Sequence, residues 1–500
     1  MPSPAAAAMP PATERGAPRL RANALGFFPT LAQSIALISP TMTAVLIIPL
    51  AFTDAGRGTW AAYLFGTIML LFVVGGLNQF AKRSASAGSM YAYTGRGLGP
   101  VGGVLSGWTL LWSYFFIGVA GLAGFAISAQ NFLGAIGVGT VTPILFFIIS
   151  AGICAAVAWL DIRLSSVLML VFEALSVTFI LGLAAVVIFH PHVNAIDTSQ
   201  LTLKGVSIKG IDFAVVVCIF SLVGFESATT LGGEARNPTK NVPRAVVWSL
   251  IVTGLFMVVM AYIEVLATHD HASFGSLTAP LSTISVLYGV SWFKIPIWLG
   301  ATVSFFSLTL SCLNASARIM LPMSDHGIFP KQIRAVHHKH MTPHAAIGTI
   351  MSMMFAFAVI LYATSDNANT IFGDAGTLAA FGFLLAYFMI SVAAPVYLRK
   401  LGELRGRNVA IATLAFVCLM VPTVGSFYPA PSYPINLFPY IFLGYMLIGG
   451  AWMYVVHRTR PATMGEIEVE LETSIAAHRE AGEPRERRPT FEGVPQPVEA

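Results

Sequence analysis

Long apolar runs separated by short polar segments extend along most of this 500-residue chain. Twelve runs are about 20 residues long, enough for an α-helix to cross a hydrocarbon layer of about 30 Å. Lipid offers no partners to free backbone groups, so these runs are predicted to be helices in an all-α membrane protein with twelve transmembrane helices. We number them spans 1 to 12, at residues 27–53, 60–80, 101–130, 142–160, 164–189, 211–231, 245–267, 297–321, 344–363, 376–397, 408–426 and 433–456.

Composition and charge agree with this pattern and orient it. The chain is 56% hydrophobic and 10% charged, whereas soluble proteins have roughly 25% charged residues. An even number of spans puts both termini on one side of the membrane, where the loops hold fifteen Lys and Arg residues against four on the other side, Arg57, Lys204, Lys209 and Lys294. By the positive-inside rule both termini are expected to be cytoplasmic, in the cytoplasmic membrane. The net charge of +5 then reflects topology, not affinity for nucleic acid.

Two polar segments flank the apolar part. Residues 1–25, rich in Pro, Ala and Arg, are expected to be a disordered cytoplasmic tail, and residues 458–500 a polar cytoplasmic tail. Residues 26–457 then form one domain that contains all twelve helices.

Two spans contain residues that interrupt a helix. Pro40 lies in the middle of span 1, where it removes a helical hydrogen bond and crowds the preceding turn. Gly224 lies in span 6, and glycine weakens a helix interior by roughly 1 kcal/mol relative to alanine. The positions match five spans apart, which favours two inverted five-helix repeats whose breaks meet near the membrane midplane. The alternative is an ordinary proline kink and a packing glycine.

Three stretches resemble the amino acid–polyamine–organocation (APC) transporters. SLVGFESATTLGGEARNPTKNVPRAV, at 221–246, is similar to the signature of their sixth helix, which is GFE followed by E-x-x-N-P-x-x-x-x-P-R-A. SAGSMYAYTGRGLGP, at 86–100, and ARIMLPMSDHGIFPK, at 317–331, resemble the segments before the third helix and after the eighth. With the twelve spans, the resemblance covers about residues 25 to 457.

The resemblance implies a LeuT-like fold and a secondary active permease that works by alternating access. Spans 1–5 and 6–10 would be the inverted repeats, with spans 11 and 12 peripheral. In this family the backbone at the two breaks binds the carboxylate and amino group of the substrate. That implies substrate contacts at Ser39, Thr41, Met42 and Thr43 in span 1, and at Phe220, Ser221, Gly224 and Phe225 in span 6. Where the family commonly has Gly-Ser-Gly or Gly-Thr-Gly, this chain has Met42-Thr43-Ala44, so Pro40 is expected to supply the break.

Three carboxyl groups fall within spans, where charge is costly and therefore points to function. Glu226 occupies the GFE position and is our first candidate for proton coupling, with Glu173 of span 5 as the second. A protonated Glu226 that caps loose backbone groups, and a packing role for Glu173, are the alternatives. Glu264, near the outer end of span 7, is expected to reach water by snorkelling.

Span 8 carries one polar stripe at helical spacing, Ser304, Ser307, Ser311, Asn314 and Arg318. We predict that Ser307, Ser311 and Asn314 line the inner pathway. Hydrogen bonding to a neighbouring helix is the alternative.

Neither an enzyme nor an ATP-driven pump is indicated, because no phosphate-binding loop, HExxH or GxSxG motif occurs. The histidines of HHKH, at 337–340, are expected to lie in a solvated loop, and no metal or cofactor is predicted. The predicted partners are a small amino acid or amine, protons and membrane lipid. A neutral amino acid is favoured as the substrate, and amine or polyamine import and amino acid exchange are the alternatives. A channel and a membrane-embedded nutrient sensor are the rival classes.

Overall fold

The computed structural model describes residues 20–84, 88–268, 272–364, 367–428 and 432–459. Except for residues 20–25 and 458–459, the two predicted tails lie outside the described residues, so the division into tails and one helical domain stays a prediction.

The described chain is helical almost throughout, and its sixteen α-helices follow the apolar runs. They are α1 (Phe27–Ile38), α2 (Pro40–Met42), α3 (Ile48–Ala55), α4 (Thr59–Ala81), α5 (Ser89–Ala135), α6 (Pro143–Leu160), α7 (Ile162–Ile188), α8 (Thr198–Leu201), α9 (Ile208–Leu222), α10 (Pro238–Ala267), α11 (Pro280–Leu287), α12 (Lys294–Asp325), α13 (His344–Ala363), α14 (Ala368–Leu401), α15 (Gly406–Gly425) and α16 (Phe438–Thr459).

Eleven helical segments of the described chain are long and apolar enough to cross a membrane. The first, Phe27–Ala81, has 55 residues, whereas one crossing needs about 20. It turns at Gly56, whose φ of 51° interrupts the helix, and so contains predicted spans 1 and 2. The eleven segments overlap all twelve predicted spans, which confirms the all-α membrane class. The exact number of crossings stays a prediction.

Helix boundaries follow local sequence signals. The Asp161 carboxylate accepts a hydrogen bond of 2.6 Å from the Arg163 amide and caps α7. Pro238 occupies the first turn of α10, where its missing N–H costs nothing. The prolines after span 6 therefore restart the chain as the next long helix.

The long helix α5 lies at the centre of the packing and has its most extensive contacts with α14 and α12. The helices α4 and α10, which correspond to spans 2 and 7, also pack together. Spans 3 and 8, which are α5 and α12, form a second such pair. These two contacts between equivalent spans agree with a two-fold relation between the predicted repeats, and the repeats themselves stay a prediction. The last two helices, α15 and α16, expose most of their residues.

Candidate substrate and proton site

Span 1 is broken at the residue before Pro40. Helix α1 ends at Ile38, Ser39 adopts a left-handed conformation with φ 48° and ψ 73°, and α2 begins at Pro40. A π-helical segment, Thr43–Ile47, follows before α3. The predicted break in span 1 is confirmed, and proline is positioned where it removes the hydrogen bond that would otherwise continue the helix.

Span 6 is broken at the predicted glycine. Helix α9 ends at Leu222, Gly224 has a φ of 102°, and a 3₁₀-helix continues from Phe225 to Leu231. A side chain at Gly224 would both require this disfavoured φ and collide with Leu37 of α1. Only glycine therefore lets the two broken spans approach this closely.

The two breaks face each other and are tied by side-chain to backbone hydrogen bonds. The Ser34 hydroxyl donates to the Phe225 carbonyl at 2.6 Å and accepts from the Ala228 amide at 3.0 Å. The Ser227 hydroxyl donates to the Gln33 carbonyl at 3.2 Å. Ser34 and Gln33 both precede the first break by about one turn, and neither is among the predicted site residues.

Seven of the eight residues predicted to contact substrate are almost wholly buried around these breaks. Ser39, Thr41, Thr43 and Phe225 have no exposed surface, and Met42 keeps 8%. The Thr43 hydroxyl has no hydrogen-bond partner in the described part of the chain. We call this arrangement, with the residues of both breaks buried, the closed conformation.

Several of these side chains already have contacts within the protein. The Ser39 hydroxyl contacts the Ser304 hydroxyl of α12 at 3.2 Å. The Ser221 hydroxyl donates to the Val217 carbonyl of its own helix at 2.9 Å. Phe225 stacks on Tyr387 of α14, with ring centroids 5.0 Å apart. Phe220 is half-buried. Their contact with substrate stays a prediction.

Glu226 lies in the 3₁₀-helix after the break and is fully buried. The Tyr114 hydroxyl of α5 donates to one carboxylate oxygen at 2.8 Å, and the Tyr387 hydroxyl of α14 donates to the other. Tyr387 also accepts from the Gly224 amide at 3.1 Å. Glu226 is thus connected to the backbone of the break through Tyr387, and to two further helices.

Glu173 of α7 connects the first break to α12. One carboxylate oxygen accepts from the Thr41 hydroxyl at 2.9 Å and from the Thr41 amide at 3.3 Å. The other accepts from the Ser304 hydroxyl. The Thr41 hydroxyl also contacts the Ser176 hydroxyl at 2.8 Å. Glu173 therefore satisfies a backbone N–H that the break would leave without a helical partner.

The polar stripe of α12 is fully buried and contacts neighbouring helices. The Ser311 hydroxyl donates to the Gln33 carbonyl at 2.8 Å, and the Asn314 amide donates to the Ser165 hydroxyl of α7 at 2.6 Å. The Ser307 hydroxyl donates to the Val303 carbonyl of its own helix at 2.9 Å. In this conformation the stripe binds helices together, while its predicted role in lining the inner pathway is not tested.

A buried ion pair, missed in the sequence, holds the chain that follows the second break. The Arg318 guanidinium of α12 donates to both carboxylate oxygens of Glu234, and both side chains are 1% exposed. Arg318 was one of the fifteen basic residues counted in the loops of the terminal side. That count was wrong for Arg318, because it lies inside α12. A planar guanidinium matches a carboxylate through two parallel hydrogen bonds, which makes burial of both charges tolerable.

Glu264 does not snorkel. It is fully buried in α10, and neither carboxylate oxygen has a hydrogen-bond partner in the described residues. The prediction that it reaches water was wrong, because the surrounding helices cover this end of α10.

Comparison with known proteins agrees with this architecture. A profile of the family described as amino acid permease matches residues 30–456. The chain belongs to the amino acid permease family. The permease is 25% identical to the branched-chain amino acid permease BcaP of Bacillus subtilis over 393 residues, which cover 74% of this chain and 78% of the relative.

Two other relatives match this permease over most of its length. The low-affinity putrescine importer PlaP of Escherichia coli K12 is 24% identical over 379 residues, covering 74% of this permease and 79% of the relative. The transporter Rv1999c of Mycobacterium tuberculosis, whose function is uncharacterized, is 27% identical over 324 residues, covering 63% and 67%. The resemblance to APC transporters is confirmed, and the permease is an amino acid transporter with a multi-pass membrane fold.

Proposed function

We infer that this permease is a proton-driven secondary transporter that takes up a small neutral amino acid by alternating access. The observation that carries this proposal is the pair of broken spans, joined through Ser34 and Gly224 inside a closed core. The amino-terminal end of a half-helix offers N–H groups to a carboxylate, and carboxyl-terminal carbonyls attract an ammonium. Such a site binds the carboxylate and the ammonium group that all α-amino acids share.

The substrate site is proposed at the eight residues predicted from the resemblance. Span 1 contributes Ser39, Thr41, Met42 and Thr43, and span 6 contributes Phe220, Ser221, Gly224 and Phe225. Ser307, Ser311 and Asn314 are proposed to line the inner pathway once α12 separates from α1 and α7. Glu226 and Glu173 are the proposed proton-coupling residues, since each links a broken span to another helix.

Two features support a neutral substrate over a cationic one. Both oxygens of Glu226 and of Glu173 already accept hydrogen bonds, so a side-chain ammonium at either carboxylate would compete with donors from the protein. Met42 and Phe225 give the site an apolar wall. The similarity to a branched-chain amino acid permease agrees with both. The similarity to a putrescine importer supports amine import as the second candidate.

The location follows from charge. The excess of Lys and Arg on the terminal side supports a cytoplasmic membrane protein with both termini inside. The protein is then surrounded by membrane lipid, and its uptake is driven by an inward proton gradient.

A panel of ligands tests the proposal on purified full-length protein. Leucine, valine, alanine, arginine and putrescine are compared by thermal shift, and stabilising compounds are then measured as labelled uptake into liposomes with and without a pH gradient. We expect neutral amino acids to stabilise the protein and to accumulate when the outside is acidic. If putrescine alone stabilises the protein, the substrate is an amine and not a neutral amino acid. If uptake is the same with and without the pH gradient, transport is not driven by protons.

Gly224→Ala tests the site itself, since the added methyl group requires a strained φ and meets Leu37. We expect uptake to be lost at a strain cost of about 1–3 kcal/mol. Gly376→Ala in α14 is the matched control, because nothing lies within 4 Å of its added methyl group. Equal uptake by both variants would argue against the break as the substrate site.

A further inference from the structure

The described part of the chain has one membrane carboxyl group whose oxygens are both without a hydrogen bond, and it is Glu264 of α10. Glu226 and Glu173 are buried to a similar degree, yet each has donors on both oxygens. Glu264 therefore differs from them in its partners and not in its burial.

An ionised carboxylate without a partner is very costly in an apolar interior, and such a group becomes neutral by taking up a proton. Donors on both oxygens stabilise the ionised form instead. By this argument Glu264 carries its proton in the closed conformation, whereas the donors on Glu226 and Glu173 offset part of the cost of ionising those two buried groups.

The surroundings of Glu264 connect it to the second break. Tyr63 of α4 has a fully buried hydroxyl, and Glu264 lies within electrostatic range of it. The nearest polar groups to that hydroxyl are the side chains of Cys218 and Ser221 of α9. Ser221 precedes the break at Gly224 by three residues. A rearrangement of the break therefore changes the environment that Glu264 shares with Tyr63.

Neither oxygen of Glu264 accepts a hydrogen bond from a basic side chain of the described chain. The elements packed against α10 are α1, α2, α3, α4, α7, α9, α11 and the segments 43–47, 56–58 and 225–231. Their titratable or charged residues are Tyr63, Cys218, Glu226 and Glu173 in the interior, and Asp54, Arg57, Arg163, Lys209 and Asp212 with exposed or partly exposed side chains. The interior groups are acids and supply no positive charge.

We propose that Glu264, with Tyr63 beside it, is a proton-binding site that is loaded in the closed conformation and releases its proton when the region between α4, α9 and α10 opens to water. Glu264 lies three residues before the end of α10, at the end predicted to face outwards, so the path for a proton from outside is short. This inference rests on the proposed proton-driven uptake and adds a carrier for the proton.

Thermal stability measured against pH tests proton binding without any substrate. An unfolded chain releases the Glu264 proton at the ordinary pH of a carboxyl group, whereas the closed state retains it, so this contribution to stability is complete at low pH and is lost as pH rises. The melting temperature of wild type minus that of Glu264→Gln should therefore fall by several degrees between pH 5.5 and 8.5. Parallel curves for the two proteins would overturn the proposal.

Glu226→Gln is the matched control in this measurement. It removes a buried carboxyl group of the same size, but one whose oxygens both accept hydrogen bonds. Because its donors offset part of the cost of ionisation, Glu226→Gln should show a smaller trend than Glu264→Gln. A trend of equal size in both variants would show that burial alone produces it and would overturn the distinction between the two residues.

Liposome transport tests the coupling. With a pH gradient of two units, transport of one proton with each leucine allows accumulation of up to about 100-fold. Glu264→Gln, a neutral isostere, should retain leucine counterflow and lose gradient-driven accumulation, and Glu264→Asp should restore it. Accumulation by Glu264→Gln at the wild-type level would overturn the coupling.

Two outcomes separate this inference from the proposed function. If wild type takes up none of the panel compounds, the proposed function fails while the pH dependence of stability still decides whether Glu264 binds a proton. If putrescine stabilises wild type but not Glu264→Gln at constant pH, the carboxyl group pairs with a substrate ammonium and the proton site is overturned. Should Glu264→Gln fail to fold, an unchanged pH profile of uptake in Glu264→Asp would overturn the proposal, and a shifted one would support it.

Discussion

Glu226 and Glu264 lie in consecutive helical elements, and neither has any exposed surface. Glu226 receives hydrogen bonds from two tyrosines, one of which also accepts from the broken backbone at Gly224. Glu264 receives none in the described chain. Burial favours the neutral form of both carboxyl groups, and the donors on Glu226 offset part of that effect, whereas Glu264 has no such donors in the described chain.

Glu234 extends the comparison to a carboxyl group with a full positive charge beside it. Arg318→Ala would leave Glu234 as a buried unpaired charge, which costs about 3–5 kcal/mol. We expect the largest loss of thermal stability here, measured as the melting temperature of the purified protein.

Arg83→Ala is the control for that variant. Its partner Glu403 has a side chain that is 44% exposed, and exposed pairs contribute about 0–1 kcal/mol. A similar fall in melting temperature for both variants would contradict the ranking of partners by charge and burial.

Tyr387→Phe and Tyr114→Phe would make Glu226 resemble Glu264 by removing one donor each. Each loss of a buried hydrogen bond to a charged group is expected to destabilise the protein by about 1–3 kcal/mol. Loss of Tyr387 should also lower uptake more than loss of Tyr114, because Tyr387 alone contacts the Gly224 amide. Tyr397→Phe, in the same helix as Tyr387, is the matched control. Stability is measured by chemical denaturation and transport by uptake assays. Equal stability and equal uptake in all three variants would contradict the importance of the donors to Glu226.

Thr41→Val tests whether hydrogen-bond donors stabilise the Glu173 carboxylate, as they do that of Glu226, or contribute little. The substitution keeps the side-chain shape but removes the hydroxyl donor to Glu173, leaving the amide of residue 41 and Ser304 as donors. We expect a loss of about 1–2 kcal/mol and a shift in the pH profile of uptake. A wild-type profile together with wild-type stability would assign Glu173 to packing alone.

Ser311→Ala gives the smallest expected change. It removes one hydrogen bond to the Gln33 carbonyl, which is worth about 1 kcal/mol. Ser307→Ala is its control, since that hydroxyl bonds within α12. Greater loss of uptake than of stability in Ser311→Ala would sharpen the proposal that α12 lines the inner pathway.

The apolar pattern and a few punctuating residues were sufficient to predict the class of fold. Runs of about 20 apolar residues require helices in lipid. Pro40 and Gly224 affect the backbone directly, because proline lacks an N–H and glycine lacks a Cβ. Both residues therefore weaken a helix whatever packs around them. The breaks in spans 1 and 6 could therefore be predicted one residue at a time, and so could the restart of the chain at Pro238.

Partners could not be predicted in the same way. Tyr114 and Tyr387 are 112 and 161 residues from Glu226 along the chain, and Glu234 is 84 residues from Arg318. No periodicity links such distant positions. Glu264 was misplaced for the same reason, because its distance from the end of an apolar run indicates depth in the membrane but not which helices cover it.

The apolar runs, together with Pro40 and Gly224, were enough to predict a bundle of membrane helices with two matched interruptions, because solvent and backbone chemistry act locally. Which carboxyl groups of the described chain have donors could be learned only from the packing of the helices, because hydrogen bonds between helices form where distant parts of the chain meet. The proposed division of roles between Glu226 and Glu264 follows from that packing.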